Sequence, residues 1–114
     1  MSGYHVYVIE LHRKVFNENR KFREANPQFN GMLECLYVGM TSRTPRERME
    51  QHLTGARSKK GQDLSSAIVK KYGTFLRPSL YSHISPLRTR EEALKAEKDL
   101  ATQLRRQRYA VWFG

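Results

Sequence analysis

Two short runs, His5-Val6-Tyr7 and Tyr37-Val38-Gly39, constrain the fold more than any other feature of this chain. Each lies in a stretch whose aromatic and β-branched residues suit a pleated, half-buried strand. Over residues 4–11 the alternation sets His5, Tyr7 and Ile9 on one face and Val6 and Val8 on the other. Residues 32–40 repeat the arrangement, with Leu33, Cys35, Tyr37 and Gly39 on one side and Leu36 and Val38 on the other. Paired as antiparallel neighbours, the two strands would carry Tyr7 and Tyr37 onto a common face. A third strand is expected over residues 78–84, and the apolar residues 109–113 suit an edge strand or a segment docked on the core.

The helices are marked by their caps. Thr44-Pro45-Arg46-Glu47 places a threonine at the N-cap, proline at the first helical position and glutamate at N3, so a helix starts at Pro45, runs to about Leu53 and stops at Gly55. Thr89 and Glu92 form a second capping box, opening a helix that carries to about Gln107. Between them, Leu64, Ala67, Ile68 and Lys71 stand at helical spacing over residues 63–72, with Gly73 as the stop. The mixture makes the chain an α/β (α+β) protein. Residues 12–31 follow neither period. They are basic and Asn-rich, punctuated by Phe16, Phe22 and Phe29, with room for a short helix before Pro27. A connection of this length between strands is usually functional or flexible, and substrate contacts are expected there.

Length and charge narrow the function. At 114 residues the chain has the size of one domain, 1–114, with residues 12–31 as a basic insertion. Its 21 Lys and Arg outnumber 11 Asp and Glu, for a net charge of +10. The resulting pI near 10.1 favours a polyanionic partner such as nucleic acid. A single cysteine, Cys35, excludes an internal disulfide and a Cys-rich zinc site. The absence of a signal-like N-terminus or a membrane-length apolar window leads to the expectation of an unprocessed, soluble, cytoplasmic protein with no membrane partner. No Walker loop, Gly-rich dinucleotide fingerprint or G-x-S-x-G elbow occurs.

Three side chains stand out chemically. Glu97 falls within the apolar stripe that Ala93, Leu94, Ala96, Leu100, Ala101 and Leu104 draw along the last helix. A carboxylate there must meet a cation or metal, or border a cleft. Arg48 and His52 are one turn apart and flank the line of Met49 and Leu53 expected to face the core. A guanidinium suits a phosphate through paired hydrogen bonds, and an imidazole suits orienting or deprotonating a hydroxyl or a water. His12 and His83 lack metal-ligand spacing to a second histidine.

In this order, Tyr7, Tyr37-Val38-Gly39 with Thr41, Arg48-x-x-x-His52 and then Glu97, the residues resemble the GIY-YIG nuclease superfamily, specifically its small single-domain members. The resemblance implies a central three-stranded antiparallel sheet flanked by helices, and DNA cleavage with one divalent cation, Mg²⁺ or Mn²⁺. It implies that Tyr7 or Tyr37 helps activate the attacking water with His52 assisting, that Arg48 stabilises charge on the scissile phosphate, and that Glu97 holds the metal. His5, Gly39 and Thr41 are accessory candidates. Arg13, Lys14, Arg20, Lys21, Arg23, Arg43, Arg57, Lys59 and Lys60 are candidates for contact with DNA, branched or single-stranded forms included. Two departures stand beside the match. His5 replaces the family's usual first glycine, and the stretch Arg105-Arg106-Gln107-Arg108-Tyr109 has no counterpart of the family's asparagine, with Gln107 or Tyr109 as stand-ins. They support the alternative of a basic nucleic-acid-binding module that keeps the fold without the catalysis. Nothing in the sequence fixes an oligomeric state.

Overall fold

The computed structural model describes residues 3–54 and 67–114. Gly55, Arg57, Lys59, Lys60 and the first turns of the helix expected from residue 63 lie outside the described residues. The alternating run after Tyr4 forms β1 (His5–Leu11), and the chain then takes two single-turn helices, α1 (Lys14–Glu18) and α2 (Arg20–Glu24). β2 (Cys35–Thr41) follows, then α3 (Pro45–Thr54), α4 (Ala67–Tyr72), β3 (Gly73–Leu76), a 3₁₀ turn at Pro78–Leu80, α5 (Arg90–Arg106) and β4 (Ala110–Phe113).

Among the described residues the sheet has four strands in the order β3-β1-β2-β4 and is mixed, which corrects the expected three-stranded antiparallel sheet. β1 pairs antiparallel with β2, from His5 opposite Thr41 to Leu11 opposite Cys35, and with β3 through Ile9 and Leu76. β4 runs parallel to β2, with Tyr37 opposite Trp112. That direction follows from connectivity. A parallel neighbour needs a long crossover, and α5 supplies it by running back over the sheet before the chain enters β4.

The strand expected over residues 78–84 is also corrected, since the third strand is Gly73–Leu76. Gly73 ends α4 and begins β3 at once, so the stop signal was also a start signal. Pro78 has no N–H for a ladder and instead opens the 3₁₀ turn, just after the Arg77 N–H donates to the Val8 carbonyl at 2.8 Å. β2 likewise starts three residues later than expected. The Asn30 side chain accepts from Met32 N at 3.0 Å and Gly31 takes a positive φ of 83°, so the chain turns there and leaves Met32 exposed.

Two cores sandwich the sheet. Tyr7, Ile9, Leu11, Cys35 and Tyr37 project from one face onto Val15, Phe22, Met49, Ile68, Val69 and Tyr72 of α1 to α4. Val6, Val8, Leu36, Val38 and Val111 project from the other onto Leu100, Ala101 and Leu104 of α5. Leu94, expected in the apolar stripe of α5, is exposed instead. Among the described residues no helix is long and apolar enough to cross a membrane.

Both expected capping boxes form. Thr89 Oγ1 accepts from Glu92 N at 3.1 Å and the Glu92 carboxylate accepts from Thr89 N at 3.2 Å, while Thr44 and Glu47 make the same exchange at the start of α3. Thr89→Ala is therefore expected to cost about 1 kcal/mol in a urea melt, because it orphans a helix-end N–H at the element that carries Glu97. An unchanged midpoint would show that packing alone holds that end of α5.

Candidate active site

The register of β1 and β2 builds the site. Tyr7 lies opposite Gly39, and Ile9 opposite Tyr37, so the two phenols are diagonal neighbours on one face with ring centroids 6.3 Å apart. Gly39 is the floor on which this depends. A Cβ there would lie 2.5 Å from the Tyr7 hydroxyl, 2.6 Å from Tyr7 Cζ and 2.9 Å from Tyr37 Cε2.

α3 brings the imidazole onto the same phenols. His52 is fully buried, its ring 5.5 Å from Tyr37 in an edge-on arrangement and 6.1 Å from Tyr7. The Tyr7 hydroxyl and His52 Nε2 are 2.8 Å apart. Burial pushes the Tyr7 phenol far above its ordinary range and pulls the imidazole down to about 4, so both are neutral at neutral pH and the phenol donates to Nε2. The expected Met49 and Leu53 core line is corrected here. Leu53 is exposed and His52 takes the inward position beside Met49, a polar ring accepted because its nitrogen is hydrogen bonded.

Arg48 sits one turn back at the partly buried edge of α3, where its Nη1 donates to Gln51 Oε1 at 3.2 Å. Its charge acts on both phenols, opposing the rise that burial imposes on each. Gln51 is not among the residues that the sequence singles out. The only trace of its position was the spacing of three residues from Arg48.

Glu97 comes from the middle of α5 and is 4% exposed. It makes no hydrogen bond and no ion pair among the described residues, and burial alone raises its carboxyl to about 7. It is not locked against an arginine. Its charge instead reaches both rings, and Tyr37 is pushed up to about 12 by burial first and then by Glu97. Tyr7, Tyr37, Arg48, His52 and Glu97 thus form one electrostatically connected group.

The accessory residues divide. Thr41 is buried and its hydroxyl accepts from Arg43 N at 3.0 Å, shaping the turn into α3. His5 stands on the Tyr7 side of β1 opposite Thr41 and is partly exposed. Neither stand-in for the family asparagine reaches the phenols' face. Gln107 is exposed at the end of α5, and Tyr109 packs with the core on the opposite face. A buried asparagine that sequence reading missed, Asn26, ties α2 to the C-terminal segment. Its Oδ1 accepts from Val111 N at 2.7 Å and from Arg105 Nε at 3.2 Å, and its amide donates to the Phe22 carbonyl at 2.8 Å.

The basic residues of the 12–31 segment are partly consumed by their own structure. Arg13 donates to the Gly31 carbonyl, Arg23 to the carbonyls of Phe16 and Asn17, and Arg20 pairs with Glu24 at 2.9 Å. Lys14 and Lys21 are exposed with no side-chain partner among the described residues. Arg43 is exposed at the start of α3, where its charge helps hold Glu47 below the usual carboxylate range after the hydrogen bonds from Thr44.

The GIY-YIG catalytic domain model matches residues 29–110. The chain belongs to the GIY-YIG family. No curated protein and no solved structure matched the chain. In this GIY-YIG chain the matched stretch begins after β1, so Tyr7 joins the rest of the site through strand pairing across the 12–31 segment. Membership in the family marks the chain as a nuclease-type domain.

The buried imidazole gives a pH dependence of its own. Its pKa is about 4 in the fold against 6.5 unfolded, so its contribution to stability is fully present above pH 6.5 and is lost as pH falls through 4. His52→Gln is expected to remove an acid-side loss of about 3 kcal/mol, read as a wild-type-minus-variant stability difference that falls by that amount between pH 6.5 and 4. Parallel curves for the two proteins would show the imidazole to be solvated.

Proposed function

We propose that this protein is a metal-dependent endonuclease that hydrolyses DNA phosphodiester bonds, with residues 1–114 acting as one catalytic unit. The observation that carries the reading is the buried Tyr7–His52 hydrogen bond of 2.8 Å within electrostatic reach of a permanent cation, Arg48, and a buried carboxylate, Glu97, that is unpaired among the described residues.

The donor set fits a hard divalent cation. No cluster of three or more His, Cys, Asp or Glu exists among the described residues, which speaks against a cage built from protein alone. Mg²⁺ and Mn²⁺ are commonly held by one or two carboxylates, with waters and substrate phosphates completing the shell, and Glu97 is a carboxylate without another partner. Bound there, the ion would supply Lewis-acid stabilisation of the charge that develops on the phosphate and its leaving oxygen.

The chain's own residues account for the proton and the positioning. A free Tyr7 phenolate is out of reach at neutral pH, so Tyr7 works as a neutral relay. It accepts a proton from the attacking water as it passes its own to His52 Nε2, which is unprotonated and ready to receive it. The new bond from water to phosphorus forms as the bond to the leaving oxygen breaks, and the proton rests on the imidazole. Tyr37, protonated at every working pH, donates to a phosphate oxygen. Arg48, braced by Gln51, neutralises the charge that grows on that phosphate. The net charge of +10 raises the local concentration of a polyanion.

Incubation with supercoiled plasmid, branched DNA and single strands in Mg²⁺ or Mn²⁺ tests the reading. Nicking is expected with the wild-type protein. Arg48→Ala is expected to lower it by about two to three orders of magnitude, because it removes a preorganised charge from the transition state. The variant should keep its circular dichroism spectrum, since Arg48 lies at the edge of the core. Salt-sensitive binding without cleavage in either metal would assign the protein to the non-catalytic module, for which the absence of an asparagine from residues 105–109 is the supporting observation.

A further inference from the structure

Residues 12–31 leave β1 and return to β2, and on the way they enclose a cleft of about 570 Å³. Phe16 and Phe29 form its apolar wall, with ring centroids 4.9 Å apart and planes tilted by 49°. Both rings pack against the core that contains Tyr7 and Tyr37, so the cleft opens on the same side of the sheet as the phenols. The polar rim comes from Arg13, Lys14 and Asn30. Lys14 is exposed and its ammonium has no partner among the described residues. Asn30 uses its oxygen to accept from Met32 N at 3.0 Å, which leaves its amide hydrogens for another acceptor. Arg13 commits one nitrogen to the Gly31 carbonyl and keeps the rest of its five donors.

Aromatic ring faces, an amide donor and two cations match the parts of one nucleotide: a base face, a base edge and a phosphate. A bare phosphate would leave the two rings without a role, and a paired base keeps its faces inside the stack. We infer that this cleft receives a single unpaired nucleotide of the DNA strand, its base laid against Phe16 and Phe29, its edge met by Asn30 and its phosphate by Lys14 and Arg13. The inference rests on the nucleic-acid reading above and deepens it by naming the substrate class: DNA with an unpaired base near the cut. Leu11, where β1 hands over to this segment, lies four residues from Tyr7, about 13 Å along the strand. A single chain of nucleic acid can therefore reach both places on one face.

Binding in a chelating buffer, where nothing is cut, tests this apart from catalysis. Fluorescence anisotropy would compare a labelled duplex carrying one bulged base with the same duplex fully paired, at fixed salt. The wild-type protein is expected to favour the bulged duplex about tenfold, within the range for stacking of one base on an aromatic ring. Phe29→Leu keeps the apolar bulk without the flat face, and Asn30→Ala removes the amide. Each should cut the preference at least about threefold while leaving the paired duplex bound within about twofold. Equal affinity of the wild-type protein for both duplexes, or a preference untouched by both variants, overturns the inference. Should Phe29→Leu lose its circular dichroism signature, Asn30→Ala, at an exposed position, decides alone. A protein that prefers the bulge yet never cleaves keeps the cleft and removes the nuclease, and one that cleaves both duplexes with equal affinity does the reverse.

Discussion

Replacing Glu97 with Gln is expected to make the metal-free protein more stable above pH 7, by about 3 kcal/mol, while lowering strand cleavage by about three orders of magnitude. The stability half follows from linkage. The Glu97 carboxyl sits at about 7 in the fold against 4.5 unfolded, so between these values the folded state holds the extra proton. Its favourable contribution is complete below pH 4.5 and is lost as pH rises through 7, where the side chain must ionise while buried. A neutral carboxamide of the same shape avoids that cost. Denaturant melts in a chelating buffer should therefore give equal stabilities for the two proteins near pH 4.5 and a widening gap up to pH 8. A structural ion pair makes the opposite prediction, since removing one partner strands a buried charge and destabilises the fold. A Gln variant that is weaker at pH 8 would remove Glu97 from the metal site. A group kept at a cost to the fold is what a binding role requires.

His52 titrates in the same window with the opposite sign, so the wild-type curve is expected to look flat between about pH 4.5 and 6.5. The flatness is a cancellation. Gln at position 97 exposes the rising limb due to the imidazole, and Gln at position 52 exposes the falling limb due to the carboxylate. Residues from α3 and α5, on opposite faces of the sheet, thus report on one another through protons.

The sequence made the site more legible than the sheet, and the reason is range. Tyr7, Tyr37, Arg48, His52 and Glu97 each follow from a local signal: alternation on a strand, a one-turn spacing, or a charge inside an apolar stripe. The capping boxes at Thr44 and Thr89 are equally local, and both helices start where the caps place them. Strand order is not local. The parallel pairing of β4 with β2 is set by where α5 returns the chain, and no residue within 110–113 announces it. Gly73 and Pro78 were misleading for a related reason, since one residue ended a helix and began a strand, and the other opened what looked like a strand and is a 3₁₀ turn. His52 displaced Leu53 from the core because a partner 45 residues away satisfies its ring nitrogen, which hydrophobicity does not register. Asn26 was hidden likewise, its partners Arg105 and Val111 standing at the far end of the chain.

Gly39→Ala is expected to cost about 2 to 3 kcal/mol of stability and to lower cleavage at least as much as loss of Tyr7 would. The cause is space, since the new methyl would stand 2.5 Å from the Tyr7 hydroxyl and 2.6 Å from Cζ. Ordinary contact is about 3.5 Å or more, so the phenol must move. It has little freedom to do so. Tyr7 is 1% exposed, packed against Tyr37, and held by His52 Nε2 at 2.8 Å. Swinging the ring away breaks that hydrogen bond, while holding the ring in place forces β1 and β2 apart. Either response disturbs the relay on which cleavage depends. A double-mutant cycle separates the clash from other effects of the methyl group. In a Tyr7→Ala background the ring is gone, and Gly39→Ala should then cost less than about 0.5 kcal/mol, a coupling of about 2 kcal/mol between the two positions. Additive costs would show that the glycine serves the strand backbone alone and that the phenol does not rest on it.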